Sequence, residues 1–133
     1  MGTCYSANVK LKFKEEDSQK ILAKMEECYQ NHLSQRVNFG IELYPFKSPS
    51  SIEDYMALYF VSHQRMYDLE KRRWKNGKVT YSVKTGFDAS YGWECVMLDL
   101  FEGLAEYLER GSVLDMWPDN YHETYRIKDG KVY

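Results

Sequence analysis

The chain has 133 residues, 44% of them hydrophobic, and a formal net charge of −2, a balance that excludes a disordered charged tail and fits one globular domain able to bury its own core. Its three cysteines, Cys4, Cys28 and Cys95, are odd in number and widely spaced, which excludes a C-x-x-C zinc knuckle or redox pair.

In chain order, Ala7, Val9, Leu11 and Phe13 alternate with Asn8, Lys10, Lys12 and Lys14, the period of a half-buried strand that starts almost at the first residue. Met1, Gly2 and Ser6 also satisfy the acceptor rule for N-myristoylation, with Cys4 beside them as a second acyl site. The strand accounts for the segment more simply, and a membrane anchor is not expected. Glu15 to Asp17 can open a helix whose buried stripe is Ile21, Leu22, Met25, Cys28, Tyr29 and Leu33. A second alternation, Val37, Phe39, Ile41 and Leu43, predicts a strand closed by Pro45, and Lys47 to Ser51 predicts a loop.

Ile52, Tyr55, Met56, Tyr59, Phe60, His63, Met66 and Tyr67 follow helical spacing, although Tyr55 to Val61 also suits a buried strand. Capping-box pairs, Ser50 with Glu53 or Ser51 with Asp54, favour the helix. Asn76-Gly77 predicts a type I′ turn joining Lys71–Lys75 to Lys78–Lys84, with Val79, Tyr81 and Val83 on one face. If the preceding helix instead runs to Trp74, the same pair caps it. Ser90 to Gly111 predicts a six-turn helix, with Trp93, Val96, Met97, Leu100, Phe101, Leu104, Tyr107 and Leu108 on its apolar face, Ser90 at its start and Gly111 at its stop. Val113–Trp117 and Tyr121–Lys128 read as strands joined at Pro118, Asp119 and Asn120, followed by a tight turn at Asp129-Gly130. The strands are amphipathic, which suits an antiparallel sheet covered on one face. The expected architecture is therefore α+β: a ferredoxin-like two-layer sandwich with two to three helices, a mostly antiparallel sheet and an extra C-terminal strand or hairpin.

Chemistry is sparsely signalled. His32, His63 and His122 are far apart in sequence, and the glycines build no phosphate cradle. No nucleophile elbow or S-x-x-K pattern is present, so neither cofactor nor metal is expected and catalysis is less expected than binding. The densest polar cluster is Asp115, Asp119, Asn120, His122 and Glu123; on a strand His122 and Glu123 point to opposite faces, and turn preference accounts for Asp119 and Asn120. Two charged surfaces stand out instead. Asp99, Glu102, Glu106 and Glu109 make an acidic stripe suited to a basic partner, or to solvation alone. Lys71, Arg72, Arg73, Lys75, Lys78 and Lys84 make a basic run interleaved with Trp74 and Tyr81.

The function these features predict is a non-catalytic interaction module that binds a protein partner or itself, with Arg72, Arg73, Trp74, Lys75, Lys78 and Tyr81 as first contacts. The alternative is a protein that binds single-stranded nucleic acid through the basic aromatic hairpin, although a sequence pI of about 5.9 is low for a dedicated nucleic-acid domain. A small hydrolase using Asp115, Asp119 and His122 is the third reading. A cytoplasmic location is expected, because no apolar run approaches the roughly 20 residues that cross a bilayer and no signal-peptide pattern opens the chain.

Overall fold

A computed structural model describes residues 2–37, 49–61, 69–90, 92–118 and 121–133. Its centre is a pair of long antiparallel strands, β1 (Gly2–Lys14) and β3 (Lys78–Ser90). On one side of them lies β2 (Glu70–Arg73), and on the other β4 (Val113–Pro118), β5 (Glu123–Lys128) and β6 (Lys131–Val132). The order is β2-β3-β1-β4-β5-β6, and every adjacent pair is antiparallel. Helices α1 (Ser18–Ser34), α2 (Ile52–Met56) and α3 (Trp93–Leu104) form the second layer, so the chain is the α+β two-layer fold its element order predicts.

Alternation along β1 sets the layers. Val9, Leu11 and Phe13 are buried, and register places Val83, Tyr81 and Val79 opposite them on the same face. Helix residues Ile21, Met25, Tyr29, Met97, Leu100 and Phe101 close over that face in one core, each large apolar side chain contributing roughly 1.5–3 kcal/mol through burial. The odd-numbered residues of β1 and β3 thus carry the core. Of the even-numbered ones, Asn8, Lys10, Lys14 and Lys84 are exposed, on a face that no helix covers among the described residues.

Several expectations need correction. Ser90 ends β3 and does not cap α3; the residue before that helix is Gly92, in the left-handed conformation at φ 89° and with no cap of its own. A neighbour supplies the acceptor, since the Trp93 N–H donates to the Tyr5 hydroxyl at 2.9 Å. The helix is also shorter than six turns. It tightens to a 3₁₀ turn at Ala105–Tyr107, and Leu108 is already extended because the following backbone pairs with β1, Glu109 N–H donating to Lys12 C=O at 2.7 Å. In α1 the buried stripe continues to His32, whereas Leu33 is exposed.

Residues 52–61 are helical, as capping predicted. Ser51 Oγ accepts from Asp54 N–H, while Asp54 reaches back to the Ser50 N–H. Beyond Met56 the chain widens into a π-helical turn at Ala57–Val61. The Asn76-Gly77 hairpin forms, but as a three-residue loop: Gly77 N–H donates to Trp74 C=O, only Gly77 has positive φ, and Trp74 pairs with Lys78. This is a type I turn followed by a glycine bulge and not a type I′ turn. The strand predicted over Val37–Leu43 lies outside the described residues except for Val37, as do His63, Met66, Tyr67, Asp119 and Asn120.

Candidate functional site

Cross-strand register places the side chains of the helix-free face in rows. One row holds Arg72, Thr80 and Lys12; the next holds Glu70, Ser82, Lys10, Val113 and Arg126. Further along come Lys84, Asn8, Asp115 and Thr124, then Gly86, Ser6 and Trp117, and the β1–β3 pairing continues from there to Gly2 and Ser90. Lys14 and Lys78 pair at the opposite end. Cations from four strands therefore share one surface, while Glu26, Glu27, Asp99, Glu102 and Glu106 belong to the helical layer behind it. A net charge of −2 thus conceals a division between the two sides of the molecule.

Among the described residues, two tryptophans stand on this face. Trp74, 41% exposed, lays its indole over the sheet, its Nε1–H donating to Thr80 Oγ1 at 2.8 Å. The Arg72 guanidinium stacks on the same ring at 3.9 Å from its centroid, a cation–π arrangement. Trp117, 36% exposed, stacks on His122 with centroids 4.4 Å apart and planes 3° from parallel. His122 is held in turn by a short contact to Asp115, and Thr124 Oγ1 donates to the same carboxylate at 2.6 Å. Burial would raise the Asp115 carboxyl, but the hydrogen bonds from Thr124 and His122 and the charges of His122 and Arg126 outweigh it and hold the group below its ordinary range.

The predicted hairpin contacts separate into different environments. Arg72, Trp74 and Lys75 are exposed. Arg73 turns to the helical side and bonds Glu15 at 2.7 Å, and Lys78 is ion-paired to Glu109 at 2.6 Å. Tyr81 is the correction: it is 4% exposed and stacked on Phe13 in the core, because the alternation that buries Val79 and Val83 buries it as well.

The acidic stripe also divides. Asp99 accepts from His32 Nε2 at 2.9 Å, and Glu106 pairs with Lys24 at 3.5 Å. Glu109 lies beyond the helix, among the cations of the open face. The hydrogen bond from Lys78 and the charges of Lys78, Lys14 and Lys12 hold its carboxyl below the usual range, against partial burial. Three of the four carboxylates therefore serve internal contacts.

Sequence reasoning did not connect Lys10, Lys84, Arg126 and Trp117 to one surface. Their signal was alternation: each occupies the register opposite to its buried neighbours.

A second constellation lies between the helices, where His32 is only 3% exposed. Its Nε2 meets Asp99, its Nδ1 meets the Tyr59 hydroxyl at 2.8 Å, and Cys28 Sγ lies 3.6 Å from Nδ1. With Nε2 engaged by Asp99 and Nδ1 by the Tyr59 hydroxyl, both ring nitrogens have polar partners closer than the thiol. Burial, aided by the charges of Asp99 and Glu27 and opposed by a hydrogen bond with Tyr59, pushes the Cys28 thiol up and keeps it protonated, unlike an activated nucleophile. Nor do these residues chelate, since Cys28 and Asp99 sit at opposite nitrogens of the ring; no metal-holding cluster is present among the described residues. At the open face, Asp115 and Thr124 both address His122 Nε2, which is not the relay of a nucleophile, base and orienting acid.

Comparison with known proteins adds nothing to these observations, as no family model, curated protein or solved structure matches the chain.

Proposed function

We propose that this chain is a non-catalytic binding module whose ligand is single-stranded nucleic acid, taken on the helix-free face of the sheet. The observation that carries the reading is the coincidence on that face of Lys10, Lys12, Lys14, Arg72, Lys84 and Arg126 with the rings of Trp74 and Trp117. Phosphates are neutralised by cations spread over several strands, and bases stack on flat rings for about 1–3 kcal/mol each. A low overall pI does not oppose this, because the acidic groups that set it lie largely in the other layer. A basic protein partner is favoured less, since most of the acidic stripe is engaged within the molecule.

The test is fluorescence anisotropy of a labelled oligonucleotide of about 12 residues, titrated between about 50 and 200 mM salt. Four phosphate contacts would give a slope of log K against log salt near −3. Lys10→Glu with Lys84→Glu should abolish binding, and Glu102→Gln should leave it unchanged. Absent binding at low salt, or binding indifferent to salt and to the lysine reversals, would reject the proposal.

A further inference from the structure

The open face is not uniform. Beside Trp117 lies a depression of about 450 Å³, lined by Ser6, Asn8, Lys84, Thr85 and Gly86, within the size range of small-ligand sites. Its floor is the row of the sheet in which Gly86, Ser6 and Trp117 are paired across β3, β1 and β4. Two small residues next to a large ring leave a step in the surface, and the ring forms its wall. His122 comes to Trp117 from the β5 side, braced by Asp115 and Thr124, whereas the depression lies on the β1 and β3 side. The wall is thus fixed before any ligand arrives, which lowers the ordering cost of binding. Lys84 stands at the margin, opposite Asn8 in the next row.

We propose that this depression is a subsite for one unpaired nucleobase, stacked on Trp117 above Ser6 and Gly86, with the adjoining phosphate against Lys84. The inference rests on the nucleic-acid reading above and adds to it a position at which the base, and not only the phosphate chain, is recognised. Charge complementarity selects the occupant. A flat uncharged ring suits the step, and the anionic linkage that must accompany it suits a margin built from lysine. Asn8 and Ser6 present amide and hydroxyl groups for hydrogen bonds to a base edge.

Gly86 gives an unusually clean test. A Cβ at this position would meet Tyr5 C=O at 3.8 Å and Ser6 Oγ at 3.9 Å, ordinary contacts, and no left-handed backbone is involved. Gly86→Val therefore fills the depression without changing charge, and Trp117→Ala removes its wall. Each variant is titrated with a single-stranded oligonucleotide and, separately, with inorganic polyphosphate, a chain of the same charge type without bases. Circular dichroism and the urea midpoint establish that each variant is folded. The expected result is about a tenfold loss of oligonucleotide affinity in each variant, unchanged affinity for polyphosphate, and recovery in Trp117→Phe. Quenching of indole fluorescence by the oligonucleotide should persist in Trp74→Phe, which leaves Trp117 as the exposed indole. If the wild type binds the oligonucleotide but Gly86→Val binds it equally well, the base subsite is overturned and the wider reading stands. Equal losses for oligonucleotide and polyphosphate would also overturn the subsite. If the wild type fails to bind the oligonucleotide, both fall together.

Discussion

On the helical side of the sheet, polar groups answer one another in a continuous seam. Trp93 N–H donates to the Tyr5 hydroxyl, which bonds Glu94; Trp93 Nε1–H donates to Tyr59 C=O in the π-helical turn; the Tyr59 hydroxyl meets His32, and His32 meets Asp99. On the open side, Lys10, Lys14, Lys84 and Arg126 extend into solvent, and the organised contacts there brace rings against the sheet. The first pattern maintains a fold, because an unsatisfied buried donor or acceptor is expensive. The second leaves charge and flat surface available. A Cys, His and Asp in proximity would ordinarily invite a catalytic reading; here their hydrogen-bond assignments place them with the seam.

The sharpest break of this comparison is His32→Ala. It removes a buried ring with polar partners on both nitrogens, and a loss of about 3 kcal/mol is expected from urea unfolding. Tyr5→Phe deletes the acceptor at the start of α3 and should lower stability by about 1–3 kcal/mol. It should do so without altering oligonucleotide affinity measured on the folded fraction. Lys84→Glu should change stability by only about 0.5 kcal/mol while weakening oligonucleotide binding severalfold. A stability loss there as large as that of His32→Ala would erase the distinction between the two faces.

The smallest effect is the pH dependence contributed by Glu109 and Asp115. Both carboxyls are held below their ordinary values in the folded chain. Their contribution is therefore complete above the normal carboxylate range, near pH 4, and is lost as pH falls through the folded values. Urea midpoints taken from pH 7 downward should fall less in Glu109→Gln than in the wild type through that acid window. Parallel curves would show that the Lys78 contact contributes no pH-dependent stability.

Much of this arrangement is legible from period alone. Lys10, Lys12 and Lys14 had to face away from Leu11 and Phe13, and the same rule placed Tyr81 inside despite its position in a basic run. The spacing of Ile21, Met25 and Tyr29 allows either His32 or Leu33 next; Leu33 is expected, and His32 is the one buried. Other features depend on distant partners. Ser90 looked like a helix start because Ser is a good cap, whereas the acceptor came from Tyr5, on a strand 88 residues earlier than the Trp93 that it caps. Glu109 looked helical because its spacing continued the acidic stripe of Asp99, Glu102 and Glu106, but pairing with β1 drew the backbone into extended form. The open-face surface was hidden for a related reason: its cations come from β1, β2, β3 and β5, so no local run contains them, and the hairpin run that did attract notice divides between two faces.

The most direct test of the central claim is residue-resolved amide and indole chemical-shift mapping by NMR during titration with a single-stranded oligonucleotide at low salt. Perturbations should concentrate at Lys10, Arg72, Trp74, Lys84 and Trp117, leave Glu102 and Glu106 nearly unchanged, and reverse on adding salt. Perturbations centred on α1 and α3, or none at saturating oligonucleotide, would contradict the assignment of the helix-free face as the binding surface.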